Sequence, residues 1–162
     1  HSAITIFKLL GAKYKKQPAS LEDAQDVVSS FLTELGVDRY SYEILEGSGL
    51  TRYNKVNAEM YIKMLKYMYD DRFLFDYFMN SLSIAGKDGT LKNRMIGTEA
   101  EGNVYAKTGT INSVSALSGY VIDKDSEVLM FYVVMNGFGG NATEMRAAQD
   151  DVCILLSQFS RN

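Results

Sequence analysis

The sequence has 162 residues, of which 46% are hydrophobic, and its net charge at neutral pH is −3. This length and composition predict one globular domain with a core of its own and exclude a disordered chain. The acidic balance argues against nucleic-acid binding, since the longest basic cluster is the short stretch Lys13–Lys16. No apolar run approaches the ~20 residues that a membrane-spanning helix requires.

Histidine and cysteine are too few for most metal sites and catalytic triads. The only cysteine, Cys153, cannot form an internal disulfide, and it lies in an amphipathic pattern typical of a core residue. The only histidine, His1, excludes a His-based metal site and a Ser-His-Asp triad. Gly97–Gly102 has the glycine spacing of a phosphate-binding loop, but Asn103 stands where its lysine must be. We therefore expect no metal and no cofactor.

Apolar residues spaced three or four apart predict helices over residues 3–10, 21–35, 58–68, 73–78 and 142–159, with a further helical turn at 91–95. Capping residues are expected at Ser20 with Asp23, at Asn57 and at Asn141. The first helix is expected to end at Gly11. No capping residue precedes it, which suggests that upstream sequence is missing.

Strands are predicted for four segments: Tyr40–Leu45, Val104–Gly109, Val114–Ile122 and Val128–Met135. The last three should form one antiparallel sheet with the C-terminal helix on one face, and the outer edge of the first of these three should be free. The run from Val128 is apolar on both faces, yet a simple meander would leave it at a sheet edge. We infer that its open side pairs with strands outside this chain.

Lys107, Thr108 and Gly109 form a tripeptide that suits substrate binding at a sheet edge. The strand backbone can pair with an extended peptide, and Gly109 leaves space for it. Lys107 and Thr108 can bind an anion through a positive charge and a hydroxyl. Taken alone, the same tripeptide is also consistent with an ordinary hairpin, because threonine favours strands and glycine favours turns.

A second candidate segment surrounds Ser48, between two glycines in the stretch Glu46–Leu50. Two glycines around a serine indicate a tightly shaped loop, and exposed Ser48 and Leu50 could line a cleft. An ordinary connection between a strand and a helix remains the alternative for this segment alone.

Together, the stretches Glu46–Asn54 and Tyr105–Tyr120 resemble the class C low-molecular-mass penicillin-binding proteins, which are serine D-Ala-D-Ala carboxypeptidases and endopeptidases. The resemblance covers about residues 3–159 in the family's order of elements. Enzymes that bind penicillin carry three motifs, Ser-x-x-Lys, Ser-x-Asn and Lys-Thr-Gly. The resemblance implies an α/β fold of the β-lactamase and transpeptidase type, with an antiparallel sheet flanked by helices.

Two of the three motifs are not found where the family has them. No serine has a lysine three residues later, and no Ser-x-Asn is recognised in the chain, whereas the family has one immediately before a helix that resembles residues 1–11. We therefore expect residues 1–162 to be the C-terminal portion of such an enzyme, lacking both motifs and inactive alone. Two smaller departures are Ile4 where the family usually has Glu, and Glu46 where it usually has Asp.

The resemblance implies acyl transfer from a peptidoglycan stem peptide ending in D-Ala-D-Ala, through a serine ester, with inhibition by β-lactam antibiotics. Lys107 would supply positive charge, Thr108 a hydroxyl for the substrate carboxylate, and the Thr110 N–H half of the oxyanion hole. The segment Ser48–Leu50, with Gly49 at its centre, and Ile111 would line the site.

Further expectations concern partners and location. The partners would be the missing N-terminal portion of the protein or a second copy, and the location the periplasm or the extracytoplasmic face of a bacterial envelope. The alternative is a non-catalytic binding or interaction domain of the same fold. Retention of the Lys107–Thr110 stretch favours the enzyme, because an interaction domain has no use for an anion site.

Overall fold

The computed structural model describes residues 2–15 and 18–161, so His1 and Lys16 lie outside the described residues. The chain divides between Met64 and Leu65 into two compact units. The α-helices are α1 (Ser2–Tyr14), α2 (Leu21–Glu34), α3 (Ala58–Asp70), α4 (Arg72–Ser81) and α5 (Thr143–Ser157). The strands are β1 (Ser83–Ile84), β2 (Val104–Ile111), β3 (Val114–Ile122) and β4 (Val128–Asn136).

In the first unit, helix α2 begins at the predicted capping box. The Ser20 side chain accepts a hydrogen bond from the Asp23 backbone N–H at 3.1 Å, and the Asp23 carboxylate accepts from the Ser20 N–H at 2.7 Å. Asn57 accepts from the Met60 N–H at 2.8 Å, which confirms the predicted start of α3. The apolar core of this unit consists of Leu32, Val37, Tyr42 and Met60.

Two predictions in the first unit are wrong. Helix α1 continues past Gly11 to Tyr14, because Gly11 is where α1 packs against α2: a Cβ there would lie 2.9 Å from the Ala24 backbone nitrogen. The predicted strand Tyr40–Leu45 is a 3₁₀ turn, Arg39–Ser41, followed by one bridge between Glu43 and Lys55. The turn forms because Asp38 accepts a hydrogen bond from the Tyr40 N–H.

The second unit contains an antiparallel sheet with strand order β1-β2-β3-β4. The α/β prediction, with three long antiparallel strands and helix α5 packed on β3 and β4, is confirmed. The core between sheet and helix includes Leu117, Val121, Phe131 and Cys153. Cys153 is therefore the core residue that its helical pattern predicted, and burial raises the pKa of its thiol to about 12.

The prediction that the outer edge of β2 is free is wrong for its first part. Strand β1 pairs with this edge, placing Ser83 opposite Ala106 and Ile84 opposite Tyr105. The Ala85 N–H then donates to the Val104 carbonyl over 3.0 Å. Among the residues that the structure describes, no strand pairs with the remaining stretch of this edge, Lys107–Ile111.

The segment before β2 and the last helix of the second unit differ from the sequence expectation. A 3₁₀ turn covers Gly89–Leu91. Residues 92–95 are not helical, so the predicted helical turn at 91–95 is wrong. The apolar spacing of the last helix also predicts that Leu155 is buried, but Leu155 is 67% exposed, and Gln149 and Ser157 are buried instead. The N-cap of α5 is Ala142 and not the predicted Asn141, whose side chain, one residue earlier, still accepts a hydrogen bond from the Thr143 N–H.

Strand β4 lies at the outer edge of the sheet, as its position in the meander predicted, and pairs only with β3 among the described strands. Across residues 2–15 and 18–161, no helix has both the length and the apolar character needed to cross a bilayer.

Candidate functional site

The predicted site residues of the second unit lie where β2 emerges from the core. Val104 and Ala106 are fully buried, whereas Lys107, Gly109 and Thr110 are exposed. The change occurs at the residue where the pairing with β1 ends. The strand therefore presents a one-sided backbone edge beside the exposed residues, which is the geometry that an extended peptide needs to pair with a sheet.

Lys107 contributes an exposed ammonium group at this edge. Its Nζ atom donates a hydrogen bond to the Thr108 backbone carbonyl over 2.7 Å. Among the described residues, no carboxylate lies within ion-pair distance of this ammonium. Its charge therefore remains available to an anionic group.

Thr108 is half-buried, and its hydroxyl oxygen lies 3.0 Å from that of Thr90 in the 3₁₀ turn. Thr90 in turn lies 3.3 Å, oxygen to oxygen, from Ser83 of strand β1. Neither Ser83 nor Thr90 was singled out by the sequence analysis. Both contacts depend on the chain folding back over many residues, so no local pattern identified them.

Gly109 and Gly119 show opposite requirements for space. A Cβ at Gly109 would meet only the Ala116 side chain, at the ordinary contact distance of 3.7 Å. A Cβ at Gly119, directly opposite Ala106, would collide with the Tyr105 carbonyl oxygen. Packing thus requires glycine at 119, and it does not require glycine at 109.

Thr110 and Ile111 complete the exposed end of β2. Thr110 lies opposite Ser115, and Ile111 lies opposite Val114. Ser115 is buried, and its hydroxyl accepts a hydrogen bond from the Gln149 side chain of α5 over 3.1 Å. Helix α5 is thereby tied to the strand position next to Thr110.

A buried polar network holds α5 in place. The Arg94 guanidinium forms an ion pair with Asp150 at 2.7 Å, and the two side chains are only 12% and 20% exposed. Arg94 also donates to the Gln149 side chain and to the Arg146 carbonyl, over 3.2 and 3.1 Å. Through Gln149 the network reaches Ser115, the residue of β3 that lies opposite Thr110.

The second predicted segment, Ser48–Leu50, lies in the first unit and forms a tight loop. The Ser48 hydroxyl donates to Glu46 over 2.5 Å and accepts from the Leu50 N–H over 3.0 Å. Gly49 has φ +73°, a conformation that favours glycine. The Ser48 hydroxyl, followed by backbone N–H groups, holds the pKa of the Glu46 carboxyl below its usual value against the effect of burial.

The loop therefore uses the Ser48 hydroxyl to fix its own shape. Leu50 is 76% exposed and projects from the loop. Asn54 closes the loop, because its side chain accepts from the Leu45 N–H at 2.8 Å and donates to the Glu46 carbonyl at 2.9 Å.

The prediction that the chain contains no Ser-x-Asn is wrong. Ser160-Arg161-Asn162 does have the Ser-x-Asn spacing, at the opposite end of the chain from where the family has it. The Ser160 hydroxyl donates to the Asp125 carboxylate over 3.0 Å. No group of three metal-ligating side chains is found within the part of the chain that the structure describes.

Comparison with known proteins places the chain in an enzyme family. The sequence model of the D-Ala-D-Ala carboxypeptidase 3 (S13) family matches residues 1–158. The chain is 41% identical over 138 residues to the D-alanyl-D-alanine carboxypeptidase of Actinomadura sp. (strain R39), covering 82% of this chain and 25% of that protein.

Solved structures show the same relationship. Penicillin binding protein 4 from Haemophilus influenzae superposes with a TM-score of 0.88 at 26% identity, over 97% of this chain and 36% of that one. The same protein complexed with a β-lactam gives a TM-score of 0.83 at 28% identity, over 97% and 38%. The chain thus spans less than two fifths of each of these relatives.

Proposed function

This chain belongs to the D-Ala-D-Ala carboxypeptidase 3 (S13) family, and from that premise we propose that it is the C-terminal part of a serine carboxypeptidase or endopeptidase. The full-length enzyme would act on peptidoglycan stem peptides ending in D-Ala-D-Ala, outside the cytoplasm of a bacterium. The observation that carries this proposal is the half-open β2 edge, where the Lys107–Ile111 stretch pairs with β3 alone among the described residues.

The reaction that fits this edge is acyl transfer to a serine supplied by the upstream portion of the protein. The serine attacks the carbonyl of the terminal peptide bond, D-Ala leaves, and water then hydrolyses the ester. A β-lactam acylates the same serine. The isolated chain lacks the Ser-x-x-Lys pair, so we propose that it is inactive by itself.

Each residue of the Lys107–Ile111 stretch has a role in this proposal. The Lys107 ammonium stabilises negative charge on the substrate carboxylate and near the catalytic hydroxyls. The Thr108 hydroxyl donates to that carboxylate, and the Thr110 N–H stabilises the oxyanion. Gly109 leaves room for the substrate backbone, and Ile111 contacts its side chain.

The loop Ser48–Leu50 is proposed to contact the peptide side chain of the substrate. Its exposed Leu50 supplies apolar surface, and the Ser48–Glu46 hydrogen bond keeps the loop in one conformation. Gly49 permits the turn that projects Leu50.

The open edge of β4 is proposed to pair with the upstream portion of the same protein. Phe131 is buried, and its neighbours on β4 are mostly half-buried apolar residues. A row of backbone groups on such an apolar strand favours association with another strand. Without that portion, a second copy of the chain would be the competing partner.

Labelling with a fluorescent penicillin tests the proposed function. In the full-length protein, Lys107→Ala should lower the acylation rate by at least tenfold, because one preorganised electrostatic contact contributes about 10²–10³ in rate. Lys92→Ala, at an exposed lysine outside the sheet, is the matched control and should leave the rate unchanged. An unchanged rate in Lys107→Ala would remove Lys107 from the site. A wild-type protein that does not label at all would favour the non-catalytic interaction domain.

A further inference from the structure

Three hydroxyl groups form a chain from strand β1 to strand β2 next to Lys107. Thr90 stands in the middle: the Thr108 hydroxyl donates to its oxygen over 3.0 Å, and the Ser83 oxygen lies 3.3 Å away, where either hydroxyl can be the donor. The Thr90 backbone N–H donates to the Ser83 oxygen over 3.1 Å. Because a hydroxyl has one hydrogen and two lone pairs, such a chain can run in either direction.

The direction decides whether Thr108 can donate to a ligand. In the structure Thr108 donates to Thr90, so its only hydrogen is used within the protein. If Ser83 donates to Thr90, and Thr90 donates to Thr108, the Thr108 hydrogen is released toward the open edge of β2. An anion at that edge favours the second direction, since a hydrogen bond to a charged acceptor is about twice as strong as a neutral one.

The backbone around Thr90 is built for this close approach. Gly89 has φ +53°, and a Cβ there would collide with the Ser83 hydroxyl oxygen. The Asp88 carboxylate accepts a hydrogen bond from the Ile84 N–H over 2.7 Å, which fixes strand β1 against the turn. The glycine at position 89 therefore allows the turn to hold Thr90 between β1 and β2.

We propose that Thr90 is a positioning residue that orients the Thr108 hydroxyl for anion binding, with Ser83 donating behind it. When the anion binds, the two hydrogen bonds between hydroxyl groups reverse together, and the Thr108 hydrogen turns to the anion. The inference rests on the proposed function, in which Thr108 donates to the terminal carboxylate of the substrate. Thr90 itself does not touch the substrate.

The test compares acylation by penicillin in four variants of the full-length protein: Thr90→Val, Thr90→Ser, Thr108→Val and the double variant Thr90→Val/Thr108→Val. Thr90→Val should lower the second-order acylation rate about three- to tenfold, the usual effect of one hydrogen bond. Thr90→Ser keeps the hydroxyl and should retain the wild-type rate. In the Thr108→Val background, Thr90→Val should cause no further loss, because its effect passes through the Thr108 hydroxyl.

A control and a second variant make the outcomes decisive. Thr33→Val also removes a side-chain hydrogen bond, at 2.9 Å to the Ser29 carbonyl within α2, and should leave the rate unchanged. Ser83→Ala tests the same hydroxyl chain from its far end, and it replaces Thr90→Val if that variant does not fold. The same dependence on Thr108 is expected of it.

The outcomes also separate this inference from the proposed function. An equal loss from Thr90→Val with and without the Thr108 hydroxyl would overturn the inference, since it would show a general displacement of β1. The inference also fails if Thr108→Val lowers the rate while Thr90→Val does not. If Thr108→Val has no effect, the proposed role of Thr108 in substrate binding is itself wrong.

Discussion

In its first half, Val104–Ala106, strand β2 is covered by β1 on one side and pairs with β3 on the other, and its even-numbered side chains are fully buried. The second half, Lys107–Ile111, pairs with β3 alone among the described residues, and its side chains are exposed or half-buried. One continuous strand thus contains a structural segment and an accessible one. Substitutions in or beside the first half should lower stability, whereas those in the second should lower activity.

The largest expected effect on stability comes from Gly119, which lies on β3 beside the first half of β2, and Gly109 in the second half is its counterpart. Gly119→Ala should destabilise the protein by at least about 3 kcal/mol, because the new Cβ collides with the Tyr105 carbonyl oxygen and lies 2.7 Å from the Ala106 Cα. Gly109→Ala makes the same chemical change on β2 and should alter stability by less than about 0.5 kcal/mol. Urea unfolding of the full-length protein measures both values.

The activities of this pair should differ in the reverse sense. Gly109→Ala should lower the rate of penicillin acylation, because its methyl group occupies space at the open edge. If Gly109→Ala proves as destabilising as Gly119→Ala, the division of β2 into a structural and an accessible half is wrong.

The next effect concerns the network behind the sheet. Arg94→Met should cost about 2–3 kcal/mol of unfolding free energy, since it removes the ion pair with Asp150 and leaves a largely buried carboxylate without that partner. Lys66→Met is the control: it breaks an exposed pair with Asp70, in which both side chains are more than half exposed, and should cost less than about 0.5 kcal/mol.

Acylation by penicillin then shows how far the influence of this network extends. At temperatures where Arg94→Met is folded, we expect the wild-type acylation rate, because the network contacts β3 and not the exposed side chains of β2. A lower rate in the folded variant would show that Gln149 and Ser115 also position Thr110. That result would show that the buried network behind the sheet and the accessible half of β2 are coupled.

The long strands, helix α5 and the capping box were predictable because alternation, helical spacing and capping are local properties of the sequence. Strand β1 was missed because two residues, Ser83 and Ile84, are too short to show any alternation. Its absence from the prediction is the reason that the whole edge of β2 was expected to be free. Residue types alone predict the Lys107–Thr110 stretch as a site. Thr90 is identified only by the position of its turn next to β1 in the structure.

Other errors arose where packing overrides a local preference. The sequence predicts a helix end at Gly11, but the missing side chain of Gly11 instead lets α1 and α2 approach each other closely. Leu155 was assigned to the core, but α5 buries the polar Gln149 instead, because the Ser115 hydroxyl and the Arg94 guanidinium both bind its side chain. A hydrophobic pattern cannot predict a buried glutamine whose partners lie on two other segments.

The smallest effect, at Tyr120, tests the structural half through its dependence on pH. Tyr120 is fully buried opposite Tyr105, and its hydroxyl donates to the Leu65 carbonyl over 2.7 Å. Tyr120→Phe should therefore lower the unfolding free energy by about 1 kcal/mol at neutral pH. Tyr77→Phe, at a tyrosine that is 68% exposed, should change it by less than about 0.5 kcal/mol.

Above pH 10, the change of the unfolding free energy with pH tests the burial of Tyr120. Burial raises the pKa of Tyr120 to about 12 in the folded protein, whereas an unfolded tyrosine ionises near pH 10. Wild-type stability contributed by the neutral phenol is complete below about pH 10 and is lost as the pH rises toward 12. Tyr120→Phe has no phenol to ionise, so the stability gap between the two proteins should narrow over this range in urea unfolding curves. A gap that stays constant or widens would mean that Tyr120 is accessible to water, and the first half of β2 would then be less enclosed than the structure shows.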